Sequence, residues 1–518
     1  MSDWCLLDGP PAPKLHEMSM SRFAAVVLLV TAGCGDSADS TPDSMMSGTD
    51  PPELVAECHE LDRPAHGFGA PGDFGPVVEG SLADWDANGR WSVTGVQVSS
   101  ISSIHFMVNG GDVIVDRDDR LTGTIDDNAL FQRYAASDGE GGEIVFAQRV
   151  ANLRSDGSLR FDRVVCDGMS CRLCTARLIR AAWNGTETES DGLTLVGELR
   201  DPSWDGGLTL NVRVVGTLAY VIRFDGLHII ETADPAHPVQ VGHYQRNGDG
   251  YSNDLKIVQA GDKRYALIAD YPVDVVDVTD PTKPMLAGNI AEEAHTLFTE
   301  ERGGKVYAYF GNYDGTCPVF DVTDPAAPER LGRFDSGGEL VHDLSIKDGV
   351  AYLNAWDAGF QVVDFTDPEH PALKGSWQSP TDTSHSNWTT TAGGRHIAVH
   401  GDEAYGAHLD VVDLDPESAT FMQSIGSYKT RDWVSIHNIM AFGDRAYVAY
   451  YQDGVRVFDL SNPTQPTLLG YFNTWDPQGE AVSNRFFEGA VGIDVDFARK
   501  LIFVADAPRG LLILKDET

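Results

Sequence analysis

Four histidines recur one to a repeat, His295, His342, His385 and His437, each opening a short apolar run. Imidazoles gathered from separate segments suit zinc, copper or iron, and when protonated they suit a small anionic ligand. Asn253 stands at the same place one repeat earlier. A second group ends the apolar run that follows in each repeat: Asp270, Asp314, Trp356, Asp357, Asp453 and Asp506. Carboxylates with an aromatic neighbour suit a polar ligand or calcium. His400 and His408 belong to the same region of their own repeat. The competing reading is that each histidine caps a turn or bonds within its own unit. Position decides between the two, so the elements that carry these residues come next.

One phrase sets the repeat: Val276-Asp-Val-Thr-Asp-Pro281, Phe320-Asp-Val-Thr-Asp-Pro325, Val363-Asp-Phe-Thr-Asp-Pro368, Val412-Asp-Leu-Asp-Pro416 and Phe458-Asp-Leu-Ser-Asn-Pro463, with a weaker copy at Ile230-Glu-Thr-Ala-Asp-Pro235. From Asp280 onward the Asx-Pro pairs lie 43 to 48 residues apart, the period of a four-stranded propeller blade. Each copy parses as short β-branched or aromatic runs between Gly, Pro and Asp turns. The sets begin near Leu210, Asn253, His295, His342, His385, His437 and Val491, which makes seven. The seventh lacks an outer strand after Leu511-Leu-Ile-Leu-Lys515, and the missing piece stands upstream as Thr194-Leu-Val-Gly-Glu-Leu199. The expected fold is all-β: a seven-bladed β-propeller over residues 193–515, closed by that N-terminal strand, which hides the sheet edges. First strands line the axis, so the histidines, aspartates and aromatic residues should meet at one mouth of the channel.

The Val-x-Asp-x-Thr-Asp-Pro phrases, with second strands such as Asp444-Arg-Ala-Tyr-Val-Ala449, resemble the LVIVD-repeat family of bacterial and archaeal surface propellers. The resemblance covers about residues 193–515. It implies an exported propeller and little about chemistry.

Upstream, residues 23–32 are apolar and follow Arg22. The stretch is too short for a span of ~20 residues and is the length of a signal-peptide core. Thr31-Ala32-Gly33-Cys34 is similar to a lipobox, making Cys34 the lipidation site. Residues 18–33 read as a lipoprotein signal, 1–17 as a mis-annotated leader, and 34–75 as a disordered tether of low hydrophobicity. Residues 76–190 alternate in strand fashion and read as a small β-rich domain, sandwich or barrel, preceding the propeller. An exported location permits disulfides. Cys58, Cys166, Cys171 and Cys174 allow two bridges of open connectivity, or a four-thiolate zinc site.

The net charge of −40 argues against a nucleic-acid partner, which needs a basic patch. Gly67-Phe-Gly-Ala-Pro-Gly72 fits the dinucleotide string but has proline where a helix should open. Asp116-Arg-Asp-Asp119 lacks the glycine and distal glutamate of an EF-hand, and Asn247-Gly-Asp-Gly-Tyr251 reads as a turn before it reads as a calcium loop. The leading expectation is a lipid-anchored envelope protein, facing periplasm or exterior, whose propeller binds a protein, glycan or small ligand. The alternative is a metal-dependent, oxidase-like enzyme using the axial histidines. The candidate cofactors are copper, zinc, iron or calcium.

Overall fold

The structure is a computed structural model. It describes residues 54–518 apart from 97–102, 116–117, 138–142, 181–189, 202–203, 205–207, 247–251, 405, 432–433 and 476–487. The proposed lipidation site Cys34, the signal and the 247–251 turn lie outside the described residues.

The N-terminal domain is a barrel. Eight antiparallel strands, Gly89–Thr94, Ser103–Asn109, Asp112–Val115, Asp118–Ile125, Ala129–Ser137, Glu143–Ala151, Leu159–Asp167 and Ser170–Arg180, pair in order, and the last returns to the first with Trp91 opposite Arg180. Alternating apolar side chains, among them Trp91, Phe106, Val113, Leu130 and Phe161, fill its interior. A further strand, Glu57–Asp62, takes the rest of the edge of Ser170–Arg180. Composition had placed these residues in the tether. Cross-strand neighbours Cys58 and Cys174 form a disulfide there, and Cys166 bonds Cys171. All four thiols are thereby used as disulfides rather than as zinc ligands. Buried Arg149 pairs with Asp162 and donates to the carbonyls of Pro71, Phe74 and Gly75, which holds the entering chain. The Gly67–Gly72 string lies in a turn that leads into the four-residue 3-10 segment Pro71–Phe74, not into a nucleotide-binding helix.

Residues from Leu193 onward form the seven blades. Six are consecutive sheets, beginning with Thr209–Val215, Leu255–Ala260, Ala294–Arg302, Asp343–Lys347, Ser384–Ala392 and Ile439–Phe442; the first five have four strands, and the sixth gains a fifth, the two-residue strand Ser190–Asp191, on its outer edge. The seventh combines Ala490–Asp496, Leu501–Asp506 and Gly510–Asp516 with the upstream strand Leu193–Leu199. Thr194 stands opposite Lys515 and Leu199 opposite Leu511, the closure expected from sequence. First strands touch first strands around the ring, including Thr209–Val215 against Ala490–Asp496.

The repeated phrase explains the stitching. The first aspartate caps its turn: Asp321 Oδ1 accepts from Thr323 N at 3.0 Å, and Asp364 Oδ1 from Thr366 N at 2.9 Å. The second aspartate caps the next turn, as Asp324 does for Ala326 N at 3.1 Å. The residue between them is buried and bonds back to the second strand, as Val322 N does to Val306 O at 2.8 Å. Each outer strand carries a bulge beside a glycine. In four blades that glycine faces the proline carbonyl of the next blade's turn. A Cβ on Gly197, Gly242, Gly332 or Gly426 would lie 2.0, 2.0, 1.9 or 2.3 Å from the oxygen of Pro235, Pro281, Pro368 or Pro463. At Gly288 the space is open.

Gly332→Ala should therefore cost about 1–3 kcal/mol by overpacking, whereas Gly288→Ala should stay within ~0.5 kcal/mol of the parent. Denaturant melts of the two variants check this.

Candidate functional site

The histidines open the first strands of four consecutive blades, so the ring turns them toward a common mouth. Their rings form a chain, with centroids 4.1 Å apart for His295–His342, 4.1 Å for His342–His385 and 4.4 Å for His385–His437. Glu403 reaches into this chain from the end of the second strand of the fifth blade, Arg395–Asp402. Its carboxylate lies 3.8 Å from His342 Nε2, 3.7 Å from His385 Nε2 and 3.8 Å from His437 Nε2. The Tyr451 hydroxyl donates to the same carboxylate.

Protonation follows from burial. Desolvation pushes His437 down to about 4 and holds His342 and His385 well below the usual imidazole range. It pushes Glu403 up to about 7. The His–Glu contacts are therefore not ion pairs but neutral imidazoles around a carboxyl group with no cationic partner among the described residues. Val491 O accepts from His437 Nδ1 at 2.7 Å, which leaves the Nε2 lone pair facing Glu403. Both ring nitrogens of His385 and Nδ1 of His342 are buried without a hydrogen-bond partner. Three imidazoles around one carboxyl group are a ligand set for a transition metal once that carboxyl gives up its proton.

His295 stands beside this set. Its Nδ1 accepts from Asn253 Nδ2 at 2.7 Å and meets Tyr313 Oη at 2.8 Å. The proton of the neutral ring is then on Nε2. Trp356 stacks on His342 at 5.1 Å and 21°, and Tyr451 packs on His437 at 4.6 Å. Trp356 and Tyr451 occupy equivalent places flanking the fifth blade, and both hold left-handed backbone, with φ of 45° and 41°. That conformation costs of order 1 kcal/mol in a non-glycine residue. Each is pinned by backbone bonds to the next blade, as Ser384 N donates to Trp356 O at 3.2 Å and Ala490 N to Tyr451 O at 3.1 Å.

The aspartates named from sequence do not join the centre. Asp270 pairs with Arg246 and accepts from Ser252 Oγ. Asp314 caps the turn at Thr316 and meets Arg333 at 3.3 Å. Asp357 caps Glu339 N at 2.8 Å. Asp453 is buried beside Arg431 and Arg456. Asp506 caps Arg509 N at 3.1 Å. Of that group, Trp356 alone touches a histidine of the cluster. His408 bonds Tyr450 Oη at 2.7 Å. His400 receives Ser384 Oγ on Nε2 at 2.9 Å, and Asp402 lies 3.8 Å from that same nitrogen. A catalytic triad needs its carboxylate on Nδ1 and an accessible hydroxyl; Ser384 is wholly buried, so this group packs two blades together.

Glu403 had a signal in the sequence. It directly follows its second strand, as Phe224, Tyr313 and Ala507 follow theirs, while Tyr271, Trp356 and Tyr451 stand two or three residues past their strands. In the four blades whose first strands share that register, Glu403 is the one carboxylate at the place.

By burial, His295 and His437 should titrate near pH 4 in the metal-free protein rather than near ~6.5. Imidazole NMR shifts followed from pH 7 to 3 check this, and ordinary midpoints would mean a wetter mouth.

Comparison with known proteins bears on the fold. No curated protein matches the chain. Among solved structures, the C-terminal WD40 domain of Sif2 is similar over 72% of this chain and 92% of its own, at 11% identity and a TM-score of 0.42, too distant to carry an argument. The family model for the LVIVD repeat matches residues 206–246, 249–292, 338–379 and 435–474, which are the first, second, fourth and sixth blades. The chain is thus a seven-bladed β-propeller, four of whose blades match the LVIVD repeat and three of which share their architecture.

Proposed function

We propose that this propeller is a metal-binding module, holding one transition-metal ion at its axial mouth through His342, His385, His437 and Glu403. The observation that carries the reading is the buried carboxyl group ringed by three neutral imidazoles with no cation in contact. Burying a carboxylate without compensation is costly, and a divalent ion supplies the missing charge. Tetrahedral bonds of ~2.0–2.1 Å put ligand atoms about 3.3–3.4 Å apart. The 3.7–3.8 Å carboxylate-to-imidazole separations are a few tenths of an ångström longer than that; His342, His385 and Glu403 offer ligand atoms that all lie within 4.8 Å of one another, and His437, 3.8 Å from Glu403, stands outside that tighter group.

Zinc, copper and iron all fit imidazole and carboxylate ligands. Metal-dependent turnover, the alternative raised by the sequence, would start from the same centre, whose His342 and His437 side chains keep 14% and 13% of their surface open. We place the protein on the outer side of a bacterial inner or outer membrane, tethered through lipid on Cys34. The apolar stretch before that cysteine and the two barrel disulfides support this.

The purified protein should carry one zinc, copper or iron per chain by elemental analysis. His385→Ala and Glu403→Gln should each lower metal affinity at least tenfold. His295→Ala should change it less than threefold. Stoichiometry unaffected by the first two substitutions would sink the proposal.

Metal removal should also lower the thermal midpoint of the propeller, because an ion bound to the folded state alone stabilises it by mass action. Calorimetry with and without chelator checks this.

A further inference from the structure

Resting on the metal reading, the mouth carries a second feature that the ion does not use. Five blades carry an aromatic residue one to three positions past the second strand: Phe224, Tyr271, Tyr313, Trp356 and Tyr451. Tyr451 is buried against His437 and Glu403. Trp356 is half-buried, stacked on His342. Tyr313 is 36% exposed with its ring edge-on to His295, and Tyr271 is 68% exposed. The aromatic series thus grades from buried at the sixth blade to open at the second. Large apolar side chains left in water beside a polar centre mark a binding surface more than a packing need. The strained φ of Trp356 has the same sense, since a relaxed strand end would not be expected to hold the indole on the histidine ring.

We propose that the ion at this mouth is completed by a small phenolic or catecholic ligand. Its oxygen coordinates the metal with release of a phenolic proton to solvent, and its ring lies against Trp356 and Tyr313. A flat ring gains from offset or edge contacts with aromatic walls, and the phenolate oxygen adds a second hard anionic donor to the one Glu403 supplies.

The test loads the full-length protein with iron(III) and titrates catechol, following the visible catecholate-to-iron charge-transfer band. The band should appear and saturate at one catechol per iron. Trp356→Ala should weaken catechol at least tenfold with iron stoichiometry unchanged, Trp356→Phe should recover most of the affinity, and glucose should not displace catechol. Equal catechol affinity in Trp356→Ala, or displacement by glucose at matched concentration, overturns the proposal, because the collar would then only pack the histidines. Failure to load iron, zinc or copper at all overturns the metal reading itself before catechol is added, so the two failures are told apart.

Discussion

The ring is held by a carbonyl oxygen pressed against a glycine. In each of four blades the outer strand bulges, its glycine turns toward the next blade, and the oxygen of the Asx-Pro turn occupies the place a side chain would fill. Both halves of the repeated phrase are needed: the aspartates shape the turn that presents the carbonyl, and the glycine receives it. The contact sets how closely those neighbouring blades approach at their outer strands. At the axis, first strand packs on first strand, and the histidine rings come within 4.1–4.4 Å of one another.

Inside the mouth, desolvation outweighs every other influence. Burial is the largest cause of the shift in all three ligand imidazoles and in Glu403. It drives both residue types toward neutrality. Without an ion the site is therefore poorly suited to anions, and it is suited to a cation that can replace lost hydration with bonds. Backbone order reinforces this, because the Val491 carbonyl assigns the tautomer of His437 and the next blade pins Trp356 and Tyr451 in place.

Much of this was legible in the sequence because repeats convert spacing into geometry. The blade count, the closing strand and the alignment of His342, His385 and His437 all follow from one period. What escaped was of two kinds. Glu403 sits where other blades carry aromatics, so a search for recurring residue types passes over it, although the register contains it. The aspartates recur faithfully, yet recurrence there reflects turn capping and arginine pairing, which composition cannot separate from ligand binding. The barrel has no repeat, so alternation gave strands but not their closure. Its first strand, Glu57–Asp62, is polar enough to read as tether and is secured to the barrel by pairing and by Cys58.

Closure by Leu193–Leu199 also orders events in time. This strand leaves the ribosome before every other strand of the ring except the two-residue edge strand Ser190–Asp191, yet its partner, Gly510–Asp516, is the last strand of the ring to be made. During synthesis, which runs at ~5–20 residues per second, its edge has no native neighbour while about three hundred residues follow. A nascent chain in that interval presents an open strand to other nascent chains. Assembly of this protein is thus bound to depend on how quickly the final blade arrives, and on what shields the waiting edge until it does.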